Sequence, residues 1–104
     1  MLAELGADGH IAALYPDSPA LLADDEQLVL RVHAPTRPAE RITVAPAVLA
    51  AARDSLVVAC GADRAAWVAR ALAAAGELAS NPARLLRQGT WMLDKPAAAL
   101  VAAP

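Results

Sequence analysis

The sequence predicts an α/β fold built on a parallel sheet. Three stretches indicate it: the continuous apolar run SLVVACG at 55–61, the helical segment 62–76 that follows, and the strand-like TWML at 90–93. A continuous apolar run of strand length that ends in Gly is typical of a strand buried on both faces. Strands that alternate with helices indicate parallel pairing.

The first third of the chain contains shorter predicted elements. Residues 2–5 form a short apolar piece, interpreted as the end of a strand, and IAALY at 11–15 is compatible with the start of a helix. The Pro, Asp and Ser residues of 16–27 indicate a loop with one apolar turn inside it. Residues 28–34 alternate between apolar and polar side chains and predict a strand.

The middle and the end of the chain supply the remaining elements. Two prolines three residues apart exclude regular structure from PTRPAE at 35–40. RITV at 41–44 is expected to be extended, and 46–54 to be a helix opened by its proline. The 62–76 helix is expected to stop at its final glycine. A short helix around 83–87 and an alanine-rich terminal helix complete the set.

Length and composition indicate one small domain with a modest core. The chain has 104 residues, of which 58% are hydrophobic and only 3% aromatic, and it contains no Phe. Such a core must be built from Leu, Val, Ile and Ala. The excess of apolar residues over an ordinary soluble domain favours close helix packing, or a piece whose partner surface lies elsewhere.

Charge and hydropathy argue against binding to nucleic acid and against insertion into a membrane. Nine Lys and Arg against eleven Asp and Glu give a formal net charge of −2, without the basic stripe that nucleic-acid binding needs. No apolar run reaches about 18 residues, so no transmembrane helix is expected. MLAELGADGH lacks the basic start of a signal peptide. We therefore expect a cytoplasmic location.

The remaining reactive side chains have plain interpretations. The single cysteine, Cys60, lies inside an apolar run and is expected to be a buried core thiol rather than a nucleophile. His33, at the end of a predicted strand, is expected to be structural or solvent-facing. The acidic run 24–26 is interpreted as a solvated loop without further metal ligands. No metal and no cofactor are expected.

Arg64 has an unusual place on the 62–76 helix. It projects at the N-terminal end of the apolar stripe, whereas Asp63, Arg70 and Glu77 share the opposite side. A cation in the first turn also opposes the helix dipole. An anionic ligand would compensate both placements; the alternative is that Arg64 extends to solvent or pairs with an internal carboxylate. The stripe consists of Trp67, Val68, Ala71, Leu72 and Ala75.

Two chemical groups are expected at one edge of the sheet. Ligands of parallel α/β sheets bind beyond the carboxyl ends of the strands. Arg64 follows the 55–61 strand there, and His10 takes the equivalent place if residues 2–5 end a strand. Helix N-termini at that edge favour a negatively charged ligand such as a phosphate.

Four blocks of sequence, in order, resemble the 6-phosphogluconolactonase family. LGADGHIAALYPDSPAL (5–21) resembles its signature of a Gly-rich turn, Asp-Gly-His, a small-residue pair and Leu-Phe-Pro. APTRPAERITVAPAVLAAAR (34–53) is similar to its proline-rich loop, Arg-Ile-Thr segment and helix. VVACGADRAAWV (57–68) resembles its strand, Gly-x-x-Lys and helix, and GTWMLDKPAAA (89–99) its terminal Trp-Leu-Leu-Asp segment.

The resemblance implies a fold that is only partly present. The family folds as one α/β domain more than twice this length, in which a parallel sheet forms a three-layer sandwich. Residues 1–104 are expected to be a single partial domain that corresponds to its C-terminal half, with the N-terminal half absent. An exposed sheet face would then bind the missing half or a second copy of the chain.

The resemblance also implies an activity and a set of site residues. The activity is hydrolysis of 6-phospho-D-glucono-1,5-lactone to 6-phosphogluconate, a step of the pentose phosphate pathway, without metal or cofactor. The implied general acid/base is His10, oriented by Asp8; the implied substrate contacts are Gly6 and Gly9, whose backbone approaches the substrate, and Arg41 and Arg64, which hold the 6-phosphate.

Two departures and two alternatives accompany this hypothesis. The family usually has Lys at Arg64 and Gly at Glu4. The first alternative is a non-catalytic chain, truncated or one half of a split enzyme, that needs a partner. The second is a relative of the glucosamine-6-phosphate deaminases, which share the Asp-Gly-His turn. It is disfavoured because residues 14–16 are Leu-Tyr-Pro where deaminases have Asn-Glu-Pro.

Overall fold

The computed structural model describes residues 1–24 and 26–101, and it confirms the α/β class. The strands are β1 (Leu2–Glu4), β2 (Val29–His33), β3 (Glu40–Val44), β4 (Leu56–Ala59) and β5 (Thr90–Leu93). The α-helices are α1 (Pro46–Ala50), α2 (Ala65–Leu72) and α3 (Lys95–Ala98). Single 3₁₀ turns occupy Pro19–Leu22, Ala62–Arg64 and Pro82–Leu86. The parallel sheet has the order β1-β4-β5, and β2 and β3 form a separate antiparallel hairpin.

The parallel sheet is covered on one face and open on the other. On the covered face, Val57 of β4 is fully buried between Ala3 of β1 and Trp91 of β5. On the opposite face, the row that contains Val58 is flanked by Glu4 and by Met92, which is 60% exposed. The prediction that strand 55–61 is buried on both faces is therefore wrong, since no element among residues 1–24 and 26–101 covers this face.

The helix predicted over 62–76 is shorter in the structure than the sequence pattern indicates. It begins as a 3₁₀ turn and α2 ends at Leu72, before the expected glycine stop. Arg84 ends it by donating through Nη1 to the carbonyl oxygens of Arg70 (2.8 Å) and Ala73 (2.9 Å). Arg87 adds a further hydrogen bond, from Nε to the Ala73 oxygen. Cations on the terminal carbonyls also match the negative end of the helix dipole.

Residues 11–15 do not begin a helix. Ile11 and Leu14 exchange backbone hydrogen bonds of 3.1 and 2.9 Å across a tight turn in which Ala12 has a φ of 52°. That pairing replaces the i to i−4 bonds of a helix. Both side chains are fully buried, because the reversal directs them into the core.

The structure also bears on the expectations for Cys60, for His33 and for a membrane-spanning helix. Cys60 is exposed rather than buried, because β4 ends at Ala59 and the thiol lies beyond the strand. His33 is exposed on β2, as expected. Asp25 of the acidic run and residues 102–104 of the alanine-rich end lie outside the described residues. Within the described part of the chain, no helix has the length and apolar character to cross a bilayer.

Candidate active site

The Asp-Gly-His turn follows β1 directly and joins two of the predicted site residues. His10 Nδ1 and Asp8 Oδ1 are 2.5 Å apart, and the same oxygen accepts from the His10 backbone amide at 3.2 Å. The two side chains remain 31% and 46% exposed. Because Asp8 occupies Nδ1, the Nε2 nitrogen is the one directed away from the pair. This is the arrangement in which a carboxylate selects the tautomer of a general base.

The carboxyl of Asp8 is held ionised by its neighbour. Partial burial raises the pKa of Asp8, but the hydrogen bonds from the His10 ring and amide outweigh it, so the pKa lies below its ordinary value. Asp8 therefore carries a negative charge at neutral pH.

Glycine is required at both positions of the turn, because a side-chain ring lies close to the Cα atom of each. A Cβ at Gly6 would overlap the His10 ring, and a Cβ at Gly9, whose φ is +87°, would overlap the ring of Trp67. Both amides are used within the turn, since Gly6 N–H donates to the His10 carbonyl (2.9 Å) and Gly9 N–H to the Gly6 carbonyl (3.1 Å). The turn is thereby fixed in the shape that presents His10, and backbone contact of the glycines with substrate stays a prediction.

Arg64 lies where the strand ends meet. Its Nε donates to the Leu5 carbonyl at 2.7 Å and its Nη1 to the Cys60 carbonyl at 3.1 Å, so it joins the residues that follow β1 and β4. Its only ion pair among the described residues is with the exposed Asp63 at 3.3 Å. The side chain is 27% exposed, and Nη2 donates to none of the described residues. One edge of the guanidinium is thus held while the other remains open to an anion.

Asp94 is a site-supporting residue that the sequence analysis did not single out. Both of its carboxylate oxygens accept from Gly61 N–H at 3.1 Å, and Oδ1 also caps α3 by accepting from Ala97 N–H at 2.9 Å. The Ala97 and Gly61 hydrogen bonds hold the pKa of Asp94 below its usual range. Gly61, with a φ of +99°, opens the turn that carries Arg64. An Asp followed by Lys-Pro-Ala-Ala is an N-cap signal that identifies this residue.

Arg41 reaches the Asp-Gly-His turn through Tyr15, which is the second residue that the sequence analysis missed. Arg41 Nη1 donates to the Tyr15 hydroxyl at 2.6 Å, and the Tyr15 ring lies 4.8 Å, centroid to centroid, from the His10 ring. Tyr15 is only 6% exposed. Four of the six predicted site residues therefore lie within one loop, residues 5–15. Arg64 contacts this loop directly, and Arg41 contacts it through Tyr15.

An apolar groove gives access to His10. It has a volume of about 480 Å³ and is lined by His10, Ala12, Val44 and the side chains of β1. Glu4, which stands where the family pattern has Gly, lines the same groove and is exposed. Within residues 1–24 and 26–101, no three His, Cys, Asp or Glu side chains are close enough to hold a metal ion. The site thus brings together an imidazole paired with a carboxylate and, at the same strand ends, the guanidinium of Arg64.

Comparison with known proteins decides the family. Residues 1–93 match the family described as glucosamine-6-phosphate isomerases/6-phosphogluconolactonase. The chain belongs to this family. Its sequence is 37% identical to a 6-phosphogluconolactonase of Streptomyces coelicolor, covering 94% of this chain and 38% of that protein. It is 38% identical to the human 6-phosphogluconolactonase, covering 96% and 40%.

Solved structures of family members share the fold. The 6-phosphogluconolactonase of Trypanosoma brucei superposes with a TM-score of 0.81 at 33% identity, over 97% of this chain and 41% of that one. A monomeric glucosamine-6-phosphate deaminase, at 18% identity and a TM-score of 0.74, shares the fold alone. The chain thus spans about 40% of the length of its relatives. These shares do not bear out its expected place in the C-terminal half, which stays a prediction.

Proposed function

We propose that this chain carries the acid/base centre of a 6-phosphogluconolactonase, which hydrolyses 6-phospho-D-glucono-1,5-lactone to 6-phosphogluconate. The observation that carries the proposal is the Asp8–His10 pair at the mouth of the groove. Support comes from the names of the relatives, which are lactonases in bacteria and animals. A cytoplasmic location and a place in the pentose phosphate pathway are part of the same proposal.

The chemistry requires one base and one acid, and His10 supplies both. Nε2 takes a proton from water as the water oxygen forms a bond to the lactone carbonyl carbon. The tetrahedral intermediate then breaks the bond between that carbon and the ring oxygen, and the imidazolium returns the proton to the departing oxygen. Asp8 stabilises the imidazolium between the two steps. The products are a carboxylic acid, which ionises, and a hydroxyl group.

Arg64 is the residue proposed to hold the phosphate of the substrate. Its Nε edge is anchored on the Leu5 carbonyl, and its Nη2 donates to none of the described residues. A guanidinium fixed in this way offers charge-assisted hydrogen bonds without first having to be ordered. Arg41, the second phosphate contact that the family resemblance implies, is not included in this proposal, because protein acceptors already surround its guanidinium.

The test is a lactonase assay on the purified chain, with the lactone generated in situ. We expect a rate above spontaneous hydrolysis that falls to that background in His10→Ala, because general acid/base catalysis contributes roughly 10²–10⁴-fold. His33→Ala is the matched control, since the second histidine is exposed on β2 and should leave the rate unchanged. A rate at background in the unsubstituted chain would contradict independent catalysis and favour the alternative below.

The alternative is that this chain is one part of a catalytic unit and needs the rest of the family domain. The specific observation is the open face of the parallel sheet. Leu2 is 73% exposed and Met92 60% exposed, on the two outer strands of the sheet. The edge of β1 away from β4 has no partner strand among the described residues. A free edge beside an apolar face is a site for further strands and a covering layer.

We propose that this face binds the part of the family domain that the 104 residues do not match. The curated relatives carry about 60% of their length outside the matched region, as follows from coverage of 38% and 40%. That length is enough for a covering layer and the strands beside β1.

Co-purification tests this docking surface. The tagged chain is mixed with a polypeptide carrying the unmatched part of the Streptomyces coelicolor relative, and we expect a one-to-one complex. Met92→Lys should weaken the complex, because it places a charge on the open face, whereas Leu22→Lys should not, since Leu22 is 84% exposed on the separate 3₁₀ turn. A homodimer of the chain, or a complex insensitive to Met92→Lys, would contradict the proposal.

A further inference from the structure

Tyr15 is a buried aromatic residue with a polar neighbour on each side. Its ring lies 4.8 Å from the His10 ring with the planes tilted by 32°, and its hydroxyl accepts from Arg41 Nη1 at 2.6 Å. The residue is 6% exposed. A buried tyrosine hydroxyl needs a hydrogen-bond partner, and here the guanidinium supplies it. Tyr15 therefore connects the proposed base to a strand that is distant in sequence.

The guanidinium of Arg41 is committed to the β2–β3 loop on its other sides. Nε donates to the Pro38 carbonyl at 2.8 Å, while Nη2 donates to Thr36 Oγ1 at 3.1 Å and to the Arg37 carbonyl at 3.3 Å. Each nitrogen thus has a protein acceptor. A bidentate phosphate contact uses two adjacent N–H groups, so it would displace at least one of these bonds. The arrangement is that of a structural clamp.

A second hydrogen bond joins β3 to the loop 5–15, which carries His10. Thr43, two residues after Arg41 on β3, is 3% exposed and accepts from Ala13 N–H at 3.1 Å through Oγ1. Side chains two apart on a strand point to one face, so Arg41 and Thr43 meet the loop together. The β2–β3 hairpin is therefore fastened to the loop that carries His10.

We propose that Arg41 is a positioning residue, which holds Tyr15 by its hydroxyl so that the tyrosine ring keeps the His10 imidazole aligned with Asp8. The inference rests on the proposed role of His10 as the base. Asp8 fixes one nitrogen of the imidazole but leaves rotation of the ring plane free, and Tyr15 covers one face of that plane. The hairpin loop thereby sets the orientation in which Nε2 meets the substrate.

Nuclear magnetic resonance of the two histidines tests the proposal without requiring catalysis. We expect Arg41→Met to displace the His10 ring-proton resonances and to leave those of His33 in place. Arg37→Met is the matched control, because it removes the same charge from the loop that precedes β3, and the Arg37 side chain makes no hydrogen bond to Tyr15. Tyr15→Phe should displace the His10 resonances as well, and the double variant should show a non-additive change.

Two outcomes would overturn the inference. The first is a His10 spectrum that Arg41→Met and Tyr15→Phe leave unchanged. The second comes from titration with inorganic phosphate: a phosphate ligand at position 41 would make the dissociation constant in Arg41→Met about tenfold or more weaker than in Arg37→Met. We expect equal constants in the two variants. Failure of the lactonase assay would leave both readouts intact, so the two proposals are distinguishable.

Discussion

Replacing Arg64 by alanine is expected to reduce the affinity for 6-phosphogluconate by about tenfold to a hundredfold. The estimate follows from the loss of a charge-assisted hydrogen bond to the phosphate, worth roughly 1.5–3 kcal/mol. The same substitution removes the donors to the Leu5 and Cys60 carbonyls, so the strand ends lose their connection. Isothermal titration calorimetry with 6-phosphogluconate, and with gluconate as the ligand without a phosphate, measures the effect.

Two controls separate phosphate binding from a general loss of charge. Arg53→Ala removes an exposed arginine that precedes β4, at the end of the strand opposite Arg64, and should leave the affinity unchanged. Arg64→Lys, which introduces the usual family residue, should retain part of the affinity, because one ammonium replaces a two-sided fork. An equal loss of affinity for gluconate in Arg64→Ala would contradict a phosphate-specific role.

Gly9→Ala is expected to destabilise the chain by about 2–5 kcal/mol. A φ of +87° costs an alanine roughly 1–2 kcal/mol, and overlap of its Cβ with the Trp67 ring adds about 1–3 kcal/mol. For a chain of this size the Tm should fall by on the order of 10 °C or more. Thermal unfolding followed by circular dichroism measures it.

Gly76→Ala is the matched control for that experiment. Gly76 follows α2 without a positive φ, and a Cβ there would lie 3.0 Å from Arg84 Nη1, a contact that a shift of a few tenths of an ångström relieves. Its effect on the Tm should be much smaller. A fall in the Tm for Gly9→Ala as small as that for Gly76→Ala would show that the turn before His10 tolerates a side chain. It would also remove the steric reason for Gly9.

Local pattern was sufficient for the strands but not for helix ends. β2 follows the alternation of 28–34, because Leu30 and Val32 face inward while the residues between them are exposed. The 62–76 helix ends early because Arg84, 14 residues after Arg70, takes the carbonyl that the next turn of helix would need. A contact at that distance leaves no trace in the periodicity of the helix.

The same distinction holds at the site. Asp8 and His10 are two residues apart, so one motif identified both, and the structure places Asp8 Oδ1 2.5 Å from His10 Nδ1. Tyr15 and Arg41 are 26 residues apart, and their hydrogen bond exists only because the hairpin folds onto the loop. The burial of Cys60 was predicted wrongly for a related reason, since an apolar neighbourhood in sequence does not say where a strand ends.

The sequence indicated the family and the Asp-Gly-His residues through four blocks of resemblance, and by itself it determined the α/β class and the strands of the parallel sheet. These depend on local conformational preference and on neighbours a few residues away, which a pattern of side chains records directly. Only the tertiary structure decided which sheet face is open, how Arg64 is anchored on two strand ends and how Tyr15 joins Arg41 to His10. Those features arise from hydrogen bonds and burial between segments distant in the chain, whose partners are set by the packing of the whole fold.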